Sequence, residues 1–128
     1  MDMKLRFRGF TLIELLVVMS VIATLLTIAV PRYFRHIDLA REASLKQSLS
    51  VMRDAIDKFQ GDNGRYPETL EELVTKRYLR KVPVDPITES KESWVAVPPP
   101  DAPGKDSVWD IHSGAEGQAQ DGSDFAQW

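Results

Sequence analysis

The chain has 128 residues, with 16 Lys+Arg against 19 Asp+Glu and a formal net charge of −3. That length holds one small domain and little more, and its acidic balance excludes a nucleic-acid binder by charge. It contains no cysteine, so a body exported from the cytoplasm must hold its core by packing, by a metal or by oligomerisation.

Charge is unevenly placed. Lys4, Arg6 and Arg8 against Asp2 leave the first nine residues at +2 and the rest of the chain at −5. From Phe10 to Val30 only Glu14 is charged. As a helix this stretch spans roughly 31 Å, close to the thickness of a hydrocarbon core. Ser20, Thr24 and Thr27 are tolerable there because their hydroxyls can bond carbonyls of the preceding turn. The basic lead-in puts the N-terminus in the cytoplasm and the body outside. A secretory signal peptide fits poorly, because the apolar run is long and Pro31, not a small-residue cleavage site, follows it. A plain anchor leaves Glu14 unexplained, since a charge at that depth costs about 2.5–3.5 kcal/mol on insertion scales.

The stretch "RGFTLIELLVVMSVIATLLTIAVPRYF", Arg8 to Phe34, resembles the prepilin signature of type IV pilins and type II secretion pseudopilins. The resemblance implies a leader over residues 1–9, a transmembrane and filament-core helix over 10–31, and a body over 32–128. It implies that a prepilin peptidase cuts after Gly9 and methylates Phe10, that Glu14 is the acidic assembly residue, and that Pro31 kinks the helix. The methylated amine of Phe10 stays protonable. With Glu14 one helical turn further on and on nearly the same face, one subunit's Phe10 ammonium can meet a neighbour's Glu14. Pairing relieves the buried charge only at the right stagger, so Glu14 reads as a register device.

Residues 32–60 read as an amphipathic helix. Leu45, Leu49, Met52, Ile56 and Phe59 form one apolar stripe, with Arg41, Glu42, Lys46, Arg53, Asp54, Asp57 and Lys58 mostly off it. A continuous helix from Phe10 to Phe59 would be about 75 Å long. The "GDNG" at 61–64 should end it. Thr69 and Glu72 form a capping box for a short helix near 69–76, and Pro83 and Pro86 bracket a rigid turn. Strands are expected near 93–97 and 107–111, joined by the proline-stiffened "PPPDAPGK". The tail, 112–128, has too few apolar residues for regular structure, although Phe125 and Trp128 should anchor it. The fold class is α+β, pilin-like: a long N-terminal helix packed against a small antiparallel sheet.

The body is similar to that of the major pseudopilin of type II secretion through "DNGRYP", "YLRKVPVDP", "VWDIHSG" and Trp128. This implies a structural subunit of a homo-oligomeric helical filament that promotes protein export. Its implied partners are the prepilin peptidase, an inner-membrane assembly platform and minor pseudopilins. The implied location is the inner membrane, single-pass, with a periplasmic body and a periplasmic filament after assembly. The resemblance also implies calcium in the C-terminal loop, with Glu116, Asp121 and Asp124 as ligands; Glu116 stands where the family commonly has Asp. Asp110, inside a strand, is expected to face solvent. A solvated acidic tail is the other reading of these residues. Zero cysteine favours a pseudopilin over the many pilins closed by a disulfide.

No enzyme constellation is present. His36 and His112 lack metal-ligand spacing, and the chain has no Cys nucleophile, no G-x-S-x-G and no phosphate loop. Two further readings remain: a type IV pilin of a surface fibre used in adhesion, motility or DNA uptake, and a membrane-tethered periplasmic binding module. Glu14 and the Gly9–Phe10 junction argue against the second.

Overall fold

The computed structural model describes residues 9–102 and 104–128. The basic lead-in, with Lys4, Arg6 and Arg8, lies outside the described residues, as does Pro103 in the hairpin loop. The chain divides into one compact unit ending at Ile37 and a second, Asp38–Trp128. Helix α1, Leu12–Asn63, contributes residues to both.

In the first unit the helix starts at a polar cap. The Glu14 N–H donates to Thr11 Oγ1 at 3.2 Å, and the Leu15 N–H donates to the Thr11 carbonyl at 3.2 Å. Thr11 is therefore the N-cap, satisfying a donor that the first turn would otherwise leave free. This corrects the expected geometry of the junction: Phe10 and Thr11 lie outside the helix, because a capping residue keeps non-helical backbone angles. Phe10 and Glu14 are thus not one helical turn apart on a shared face. Further along, the hydroxyls of Ser20, Thr24 and Thr27 donate to the carbonyls of Leu16, Ser20 and Ala23 at 2.7–2.8 Å. Each hydroxyl thus finds a partner without leaving its own helix. Pro31 sits inside α1, and the helix continues through it.

In the second unit α1 buries one face. Leu45, Met52 and Phe59 are fully inaccessible, and Leu49, Ala55 and Ile56 nearly so. The expected stripe is the buried face, with Ala55 added. The helix ends at Asn63, three residues later than the expected end at 60. The turn occurs at Gly64, whose φ is +69° and whose N–H donates to the Gln60 carbonyl. The left-handed position falls on the second glycine of "GDNG", so Gly61 stays helical.

Helix α2, Leu70–Thr75, is capped by Thr69, which accepts from the Glu72 N–H. The return half of the capping box differs from expectation. Glu72 Oε2 accepts from the Glu68 N–H at 2.9 Å, while its Oε1 meets Arg65 at 2.6 Å. The Arg65 hydrogen bond and then the Glu68 N–H hold the Glu72 carboxyl below the usual glutamate range.

The sheet is one antiparallel pair, β1 (Val95–Val97) and β2 (Asp110–His112), with Ala96 opposite Ile111. Both strands are shorter than the expected 93–97 and 107–111. Trp94 lies just outside the ladder, where its indole N–H donates to the Pro83 carbonyl. Val108 N–H likewise donates to the Pro67 carbonyl. His112 belongs to β2 rather than to the tail loop. Ile111, Val108, Leu73, Leu79, Trp94 and Phe125 join the α1 stripe in one core.

The tail carries more local structure than its composition suggested. An isolated bridge joins Gln118 and Asp124, and a short 3-10 turn spans Phe125–Gln127. Main-chain hydrogen bonds and two aromatic anchors, whose rings meet edge-on at 5.2 Å, supply what apolar content alone does not.

Candidate functional site

Two places hold the residues singled out from the sequence. The first is the junction from Gly9 to Glu14. Gly9, Phe10 and Glu14 are all exposed, and Phe10 is 87% accessible. A Cβ added at Gly9 would meet nothing within 4 Å. Leu12 to Val30 follow with every side chain exposed on every face. By length and composition this part of α1 is apolar enough to cross a membrane. Monomeric soluble proteins rarely leave a continuous apolar surface of this size uncovered.

The second place is the C-terminal loop. Glu116, Asp121 and Asp124 are each exposed, and among the described residues no three His, Cys, Asp or Glu side chains gather as a metal-holding group. Asp121 turns back on its own loop: its Oδ1 accepts from the Ser123 hydroxyl at 2.6 Å and the Ser123 N–H at 3.0 Å. Those two bonds, with the Lys46 ammonium adding to them, hold its carboxyl below the usual aspartate range. Asp110 does not face solvent as expected. Its Oδ1 accepts from Arg53 Nε at 2.9 Å, because the strand brings it against α1. His112 is half-buried, with Nδ1 3.1 Å from the Trp128 main-chain oxygen.

Several residues that organise this loop were not legible as such. By sequence pattern Glu42, Lys46 and Arg53 fall among the charges outside the stripe. Glu42 Oε1 accepts from the Gln120 N–H at 2.7 Å, the Lys46 ammonium lies 4.6 Å from the Trp128 ring centre, and Arg53 Nη2 donates to the Ile111 carbonyl at 2.8 Å. Their spacings of four and seven residues put them along one side of the helix, which was the available signal. Asp85 is fully buried; it accepts from the N–H groups of Ile87 and Thr88 and from the Ser113 hydroxyl, tying the turn after Val84 to the end of β2. An aspartate directly before a proline marks a turn, although nothing in the sequence shows its burial.

With the junction and the loop in view, comparison with known proteins is informative. Residues 4–30 match the prokaryotic N-terminal methylation motif. The type II secretion system core protein G of Pseudomonas aeruginosa is 31% identical over 140 aligned positions, covering 94% of each chain. This chain belongs to the type II secretion core protein G family. The core protein G of Klebsiella pneumoniae is 29% identical, covering 96% of this chain and 95% of its own length. The core protein G of Escherichia coli is 28% identical, covering 94% and 90%. No solved structure matches the chain. The core protein G likeness thus runs through the body as well as the N-terminal motif, so it covers both the junction and the C-terminal loop.

Proposed function

We propose that this chain is a structural subunit of a type II secretion pseudopilus. It waits in the inner membrane with its N-terminus in the cytoplasm and its body in the periplasm. A prepilin peptidase removes residues 1–9 and methylates Phe10. The mature subunit then joins a helical homopolymer, guided by an inner-membrane assembly platform and minor pseudopilins, and the filament promotes export of other proteins.

The observation that carries this reading is the bare apolar surface from Phe10 to Val30, interrupted only by Glu14. Among the described residues nothing covers that surface; lipid before assembly and neighbouring subunits afterwards would. Glu14, in the first turn of α1, also lies where the helix dipole favours a carboxylate. That makes the free subunit's charge less costly while leaving the side chain open to a neighbour's ammonium. Core protein G relatives aligned over nearly the full chain support the assignment to secretion.

The test is mass spectrometry of the membrane fraction. The mature chain should begin at Phe10 and carry one N-methyl group. Gly9→Leu should accumulate uncut precursor; because space around Gly9 is open, the block would lie in access of the peptidase to the backbone and not in misfolding. A chain still beginning at Met1 in the wild type, or one cut beyond Pro31, would overturn the proposal.

A further inference from the structure

A calcium ion in the C-terminal loop would need about six to eight oxygens drawn from carboxylates, main-chain carbonyls and water. Several of the oxygens here are directed elsewhere. Asp121 spends an oxygen on Ser123, and Asp110 spends one on Arg53. The Gly117 carbonyl accepts from the Phe125 N–H, the Ala119 carbonyl from Gly122, the Ser123 carbonyl from Ala119, and the Asp124 carbonyl from Gln127. The glycines that would let carbonyls turn toward a metal instead close the loop's own turns. Gly117 and Gly122 take φ of +97° and +85°. With those oxygens engaged, and with no three acidic side chains gathered as a metal-holding group among the described residues, the arrangement does not fit a calcium ion.

A cation does hold the segment, but it is a side chain. Arg53 donates through Nε to Asp110 Oδ1 and through Nη2 to two main-chain oxygens, those of Ile111 and Trp128. One guanidinium therefore ties β2, through a carboxylate and a carbonyl, and the main-chain oxygen of Trp128 to α1. That is the task a loop-clasping divalent ion performs. Arg suits it because its planar fork offers several fixed donors and stays charged, which a lysine ammonium cannot match. Two more contacts from the same side of α1 complete the closure: Glu42 on the Gln120 N–H and the Lys46 ammonium against the Trp128 ring.

We propose that the C-terminal segment of this chain is closed onto α1 by a latch centred on Arg53, and that the latch does without calcium. The inference is independent of whether the chain assembles, since every contact lies within one subunit.

The full chain in detergent micelles provides the test. Thermal unfolding should give the same midpoint in millimolar calcium and in chelator, and calorimetric titration with calcium chloride should show no saturable binding in that range. Arg53→Met keeps the apolar stem and removes the donors. It should make chymotryptic cleavage at Phe125 several-fold faster under native conditions, with Arg53→Lys in between. If Arg53→Met fails to fold, Lys46→Met combined with Glu42→Met should still speed that cleavage. A midpoint that rises with calcium and falls back in chelator or in Asp121→Asn would overturn the proposal. Cleavage at the wild-type rate in the latch variants would overturn it as well.

Discussion

The two halves of α1 form an internal contrast. Both are helical and rich in leucine, yet Ile22 and Leu25 remain 51% and 60% accessible while Leu45, Met52 and Phe59 are at 0%. The half after Asp38 has a polar side, and the chain's own sheet and loops cover its apolar side. From Leu12 to Val30 the other half is apolar on every face except at Glu14, and among the described residues nothing covers it. A helix with one apolar stripe is completed by its own domain; one apolar on every side needs another solvent or another molecule. The body therefore covers its own apolar stripe, and under the proposed function the N-terminal segment is the part that assembles.

The sharpest test of this contrast is a matched pair of truncations. Phe59→Ala should destabilise the body by about 3–5 kcal/mol, as expected for a large core side chain. Leu25→Ala should leave chemical unfolding of the detergent-solubilised subunit unchanged. A large loss at Leu25 would show that the apolar half has an internal partner. Gly114→Ala comes next. A Cβ there would lie 2.0 Å from the Ser93 carbonyl oxygen, a main-chain atom with little room to move. Overpacking of this kind costs about 1–3 kcal/mol or more, whereas Gly9→Ala, in open space, should leave stability as it is.

Smaller effects mark the edges of the body. Arg77, two residues past α2, takes φ of +67°, a left-handed geometry that disfavours a Cβ by about 1–2 kcal/mol. Arg77→Gly should relieve that strain against a backbone-entropy loss of about 0.5–1 kcal/mol, for a slight net gain in unfolding free energy. The smallest effect is one of pH. The Glu72 carboxyl is held below its ordinary value of 4.5 by Arg65 and the Glu68 N–H. Its stabilising effect is therefore fully present above that value and is lost as pH falls through the lower folded-state value. An acid titration of stability should be flatter in Glu72→Gln than in the wild type over that window, with the small wild-type advantage present near neutrality and lost in acid.

Much of this was legible in the sequence because it rests on periodicity and on residue types with few alternatives. The buried stripe from Leu45 to Phe59 follows from spacing alone, and the Thr69 cap from an alcohol placed three residues before a glutamate. The misses share a cause. Arg53, Glu42 and Lys46 look like solvated charges because their partners, Ile111, Gln120 and Trp128, lie more than 55 residues away. Local pattern carries no information about such contacts. Asp110 was misread for the same reason, since only the strand's position against α1 gives it a partner. Thr11 differs: its Thr-x-x-Glu spacing is a local capping signal, but it lies inside an apolar run whose length and hydropathy suggest a helix already under way at Phe10.

The central claim is that one carboxylate in the apolar segment serves assembly and not the fold of the subunit. Glu14→Leu tests it most directly, because the substitution makes the segment more apolar and so favours insertion. In cells overproducing the secretion apparatus, filaments sheared from the surface are measured by electron microscopy, and membrane-bound subunits by mass spectrometry. The account expects Glu14→Leu subunits to be cut after Gly9 and methylated as usual while filaments and secretion are lost. Filaments of normal length and number from correctly processed Glu14→Leu subunits would contradict it.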